Sequence, residues 1–117
     1  MIKIGNSLDI PPIDYDDGET VRKARKRVLI GPEEGAPNFV MRRFTIGPDG
    51  HSPYHTHPWE HQVYVLAGRG EVRFAGGVAA VKPGNFAYVP PMDEHQFVNT
   101  GDEAFEFLCV VPPEGES

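Results

Sequence analysis

The chain has 117 residues, 39% hydrophobic and 24% charged, which is the make-up of one globular domain built on one core. Its 17 acidic residues outnumber its 11 lysines and arginines and leave a net charge of −6, which argues against a nucleic-acid backbone as the main partner. A lone cysteine, Cys109, excludes an intrachain disulfide, and no run approaches the roughly 20 apolar residues of a membrane span.

Residues 1–20 read as a polar arm in which Pro11, Pro12, Asp14, Asp16, Asp17 and Gly18 leave no period. Residues 1–12 lack the charged-then-apolar layout of a signal peptide, so the expected location is the cytoplasm. Residues 21–113 are expected to form the folded body, with 114–117 as a short tail. Arg22, Lys23, Arg25, Lys26 and Arg27 read as a solvated strand edge, where basic side chains discourage edge-to-edge pairing.

A strand is predicted at 26–30 and ends at Gly31-Pro32. A second runs over 39–46 and ends at Gly47-Pro48, and a third over 61–66 ends before Gly68 and Gly70. Segments 71–74 and 78–81 flank Gly76-Gly77, a two-residue hairpin signal because both positions tolerate positive φ. Strands at 86–89, 95–99 and 104–111 complete the set, punctuated by Pro83-Gly84, Pro90-Pro91 and Gly101-Asp102. Short strands between such turn signals specify an all-β barrel or sandwich. In the last strand Phe105, Phe107, Cys109 and Val111 share one face, while apolar Leu108 and Val110 on the other predict a second covered face.

Four histidines carry the chemistry. His55, His57 and His61 fall within seven residues, and His95 opens a later predicted strand. His55 and His57 lie two apart, so an extended segment points both to one side. Strands converging in a barrel would bring the four rings together. Neutral imidazole is the commonest transition-metal ligand, and several on one concave surface point to one bound divalent ion. His51 stands outside this pattern and reads as a loop residue.

These residues resemble the two sequence motifs of the cupin superfamily. His55 and His57 match the His-x-His pair, and six residues separate His61 from Gly68 as in the first motif. Gly84, Pro90, His95 and Asn99 fall at the spacings of the second motif. Departures are Gly50, one place from the usual opening glycine, Met92 where a glycine is usual, and His61 in the usual glutamate position. The segment from His57 to Leu66 is most similar to small one-domain bacterial cupins with a four-histidine centre. The resemblance implies a double-stranded β-helix, or jelly-roll, barrel and a homodimer. It also favours manganese as the metal, whereas imidazole donors alone suit Fe, Ni, Cu or Zn. Four neutral ligands would leave a divalent ion its full charge and two adjacent open positions in an octahedral shell.

Around this centre, Trp59, Tyr64, Phe86, Met92, Phe97 and Phe107 are candidate walls for a substrate pocket. Cys109 reads as a small core residue or a thiol lining the cavity. Glu60 is the candidate base or ligand-orienting carboxylate, and Arg42, Arg43 or Arg73 could bind a substrate carboxylate. The expected function is a metal-dependent, dioxygenase-like oxidoreductase acting on a small aromatic or enol-type substrate. Lewis-acid isomerisation or epimerisation and non-catalytic small-ligand binding are the alternatives.

Overall fold

The computed structural model describes residues 1–116. Nine strands form one curled antiparallel sheet. They are β1 (Ile13–Asp14), β2 (Arg22–Ile30), β3 (Val40–His51), β4 (His61–Ala67), β5 (Gly70–Phe74), β6 (Gly77–Val81), β7 (Phe86–Val89), β8 (His95–Asn99) and β9 (Phe105–Val111). The order across the sheet is β6-β5-β8-β3-β9-β4-β7, with β2 also paired to β3 and β1 to β2. This is an all-β barrel, as the turn spacing predicts, and it has the jelly-roll form that the resemblance implies. Three 3₁₀ turns, Ser7–Asp9, Pro32–Glu34 and Pro113–Gly115, are the only helical elements among the described residues, and none could cross a membrane.

Alternation sets the core. Along β3, Val40, Arg42, Phe44 and Ile46 are buried while their neighbours are half exposed. Along β9 the same holds for Phe105, Phe107, Cys109 and Val111. The two strands pair in register, with Phe44 opposite Phe107 and Ile46 opposite Phe105. Inside, the Phe107 ring lies 5.4 Å from Phe44 in a stacked pair, 4.7 Å from Phe97 and 5.2 Å from Phe105. Each such aromatic pair adds about 1 kcal/mol beyond the burial itself.

Three local expectations are corrected. Gly47-Pro48 does not stop β3: Ala24 pairs with Ile46 and Arg22 with His51, so residues 47–50 bulge out and the strand resumes. Asp49 in the bulge takes φ 66°, and a Cβ on Gly50 would sit 2.6 Å from the Arg22 carbonyl oxygen. The β5–β6 turn is Ala75-Gly76 rather than Gly76-Gly77, because Phe74 pairs with Gly77. Leu108 and Val110 are not fully covered by the described residues. They are half exposed in a shallow outer groove that includes Tyr64, Phe86 and Tyr88. Two-residue β1 lies within the 1–20 arm, with Ile13 opposite Lys26 and Asp14 opposite Arg25.

Candidate metal centre

Two segments bring the histidines together. The 52–60 loop leaves β3, and Pro53 and Pro58 keep it out of the sheet ladder. His55 nevertheless forms an isolated antiparallel bridge with His95: each backbone N–H donates to the other's carbonyl, at 3.2 and 3.1 Å. His57 is held by a different device. The Met92 N–H donates to its carbonyl at 2.8 Å, and Met92 does so at φ 70°. This left-handed conformation gives the physical reason why glycine suits that motif position. His61 opens β4 and points inward with Val63 and Val65.

One ring nitrogen from each of His55, His57 and His95 can be chosen so that all three lie within 4.8 Å of one another, a spacing a single ion could bridge. The His61 ring is adjacent, with centroids 4.4 Å from His57 and 5.0 Å from His95. Its Nε2 is 3.1 Å from both ring nitrogens of His57, while its Nδ1 is 3.0 Å from Cys109 Sγ. Donation from Nδ1–H to sulfur would leave the Nε2 lone pair facing the other rings. Trp59 stacks on His57 at 4.6 Å and fixes that ring's plane.

A bound metal ion fits these residues. His95 Nδ1 lies 2.9 Å from the Asp93 carbonyl and so carries the proton. That leaves His95 Nε2 as a lone-pair nitrogen, and it is buried without a hydrogen-bond partner among the described residues. An orphaned buried acceptor costs free energy unless something binds it. Protonation is also suppressed. Burial, reinforced by the neighbouring rings, pulls His55 down to about 4 and His61 to about 2. Burial lowers His57 and His95 as well. All four rings are therefore neutral at neutral pH, with lone pairs free to bind an ion.

This arrangement has a pH signature. Unfolded imidazoles take protons near 6.5, whereas His55 resists until about 4 and His61 until about 2. Below 6.5 the unfolded chain binds more protons, so metal-stripped protein is expected to lose stability as pH falls and to hold it fully above 6.5. Urea midpoints of chelator-treated protein at about pH 7.5 and about pH 5 measure the effect, and equal midpoints would mean that the rings are solvated.

The rings open onto a cavity of about 480 Å³. Trp59, Phe97, Phe107 and Cys109 line it, as do Ile13, Tyr15, Lys26, Arg42, Phe44, Pro53 and Gly115. Tyr64, Phe86 and Met92 do not. Tyr64 is 49% exposed and lies three residues from inward His61, so strand parity turns it outward. Phe86 pairs with Tyr64 on that outer face and is 81% exposed. Met92 is 61% exposed and serves the site through its backbone. Glu60 is also outside the cavity, where its carboxylate accepts from the Tyr88 hydroxyl. Arg43 pairs with Glu106 at 3.2 Å and Arg73 with Glu71 at 3.7 Å, while Arg42 alone of the three arginines reaches the cavity.

Tyr15, Phe44 and Lys26 are wall residues that the sequence reading missed. Tyr15 packs edge-on against Phe44 at 5.9 Å, and burial pushes its hydroxyl well above the usual tyrosine range. Its signal was weak, since it lies in a segment without periodicity. Phe44 was readable, because it shares the parity of Arg42 and Ile46 on β3.

The cupin domain family matches residues 42–111. Over 74 residues the chain is 40% identical to 1-methylthio-D-xylulose 5-phosphate methylsulfurylase of Rhodospirillum rubrum, covering 63% of this chain and 47% of that protein. It is 41% identical over 82 residues to glucose-6-phosphate isomerase of Pyrococcus abyssi, covering 65% of this chain and 42% of that one. The chain thus spans less than half the length of these curated relatives. Among solved structures, the polyketide cyclase RemF from Streptomyces resistomycificus superposes with a TM-score of 0.87 at 31% identity, over 96% of this chain and 80% of that one.

Proposed function

The chain belongs to the cupin family, and from that premise we propose that it is a metal-dependent enzyme for a small, planar substrate of the enol or aromatic ketone class. The observation that carries this reading is the joining of an imidazole cluster to an aromatic-walled cavity of substrate size. His55, His57, His61 and His95 would hold one divalent transition-metal ion. Such an ion supplies Lewis-acid stabilisation of negative charge developing on a substrate oxygen.

The chain's own residues do the rest. Phe44, Phe97, Phe107 and Trp59 exclude water and confine a flat molecule between apolar faces. Tyr15 keeps its proton and offers an O–H donor to a substrate carbonyl. Likeness to proteins described as an isomerase and a cyclase supports a non-oxidative reaction such as enolisation or ring closure. The dioxygenase-like reading stands second, favoured by a donor set of nitrogens alone, which suits redox-active Fe, Ni or Cu.

Zinc-loaded protein is expected to accelerate deuterium exchange at the α-carbon of an aryl ketone such as 2-tetralone, followed by NMR, without dioxygen uptake. Turnover confined to iron- or manganese-loaded protein, with dioxygen consumed, would instead support the oxidative reading. Stabilisation by the ketone without exchange or uptake would make the chain a binding module.

A further inference from the structure

Arg42 occupies an inward position on β3 where its neighbours of the same parity are Val40, Phe44 and Ile46. It is 5% exposed, and desolvating a guanidinium costs several kcal/mol unless its donors are matched. They are matched in part. Nη1 donates to Glu116 Oε1 at 3.2 Å, Nη2 donates to Cys109 Sγ at 3.1 Å, and Cζ sits 4.9 Å above the Phe44 ring. The Nε–H is buried with no partner among the described residues. An apolar residue would serve the fold as well or better, so this cation is explained by something it binds.

A second cation converges on the same place. Lys26 also lines the cavity, and its Nζ donates to Glu116 Oε2 at 2.6 Å. One carboxylate therefore faces two cations. No aspartate or glutamate stands among the residues that line the cavity, so the wall brings no negative charge of its own to the two cations. Glu116 itself follows the Pro113–Gly115 turn, outside the sheet, and its backbone N–H bonds only as far back as Pro113. Its side chain can leave without breaking a strand.

We propose that Arg42 and Lys26 form an anion subsite in which Glu116 is the internal counter-ion and the carboxylate of an aromatic or enolic acid is the ligand. The subsite lies beside the imidazole cluster, since Cys109 Sγ touches both Arg42 and His61. A ligand with its carboxylate on the two cations would turn its other oxygens toward the histidines. This deepens the reading of the cavity as a substrate site and rests on it.

Calorimetric titration of metal-stripped protein with 2-naphthoate and its neutral isostere 2-naphthamide tests the subsite apart from the metal. Naphthoate is expected to bind in preference to the amide. Glu116→Gln should tighten naphthoate about tenfold, and Lys26→Met should weaken it about tenfold, with amide binding unchanged in both. These two variants leave buried Arg42 in place, and circular dichroism checks their folding. Equal affinity for acid and amide, or an unchanged naphthoate affinity in Glu116→Gln, overturns the proposal. Anion selectivity in a protein that takes up no metal would sink the metal reading and leave the subsite standing. Metal uptake without that selectivity would do the reverse.

Discussion

Replacing His95 by alanine is expected to strip the protein of its metal while leaving it folded. Wild-type protein should carry about one divalent ion per chain by elemental analysis. The variant should bind it more weakly by well over 100-fold, since even losing a residue that merely orients a ligand costs about 10–100-fold. His95 is chosen because its Nε2 is a buried lone-pair nitrogen with no partner among the described residues, so the free energy of binding concentrates there. The fold should survive, because the His55–His95 bridge is made by backbone groups that alanine retains. Equal metal content in the two proteins would place the ion elsewhere and remove the basis of the proposed chemistry.

The second large effect is on stability. Phe105→Ala should destabilise the protein by about 3–5 kcal/mol, as for other buried aromatic truncations. Phe105 is 0% exposed, and its ring lies so close to Gly70 that a Cβ there would meet it at 2.5 Å. Nothing small enough to move in could fill the space it leaves. Against a typical total of about 5–15 kcal/mol, the loss should bring the chain close to unfolding at room temperature. Urea denaturation should show a lower midpoint with an unchanged slope. Phe105 does not line the cavity, so metal affinity measured below the transition should be unaltered. A loss below about 1 kcal/mol would mean that the surrounding strands collapse onto the gap.

Part of the candidate metal site was legible because it is local. A two-residue repeat places His55 and His57 on one side, and His95 begins a strand whose inward positions include Phe97 and Asn99. Parity also held the answer for Tyr64. It is three residues from His61 on one strand, so the two cannot face the same way. Phe86 followed from the same rule through its three-residue distance from buried Val89.

Other features depended on which segments meet. Gly47-Pro48 reads as a stop in any one-dimensional pattern, and only pairing with β2 carries β3 beyond it to His51. In the sequence, Lys26 reads with its basic neighbours as a solvated edge. Pairing with β1 and the approach of Glu116, 90 residues away, turn it into a cavity residue.

By itself, the sequence determined the all-β class, the alternation of strand faces and the His55–His57 pair, because each is written in short-range spacing that the backbone's two-residue period converts directly into direction. The tertiary structure decided which side chains share the cavity and where charge collects in it. Tyr15, Lys26, Arg42 and Glu116 are distant in the chain, and only the closing of the barrel sets their desolvation and their partners.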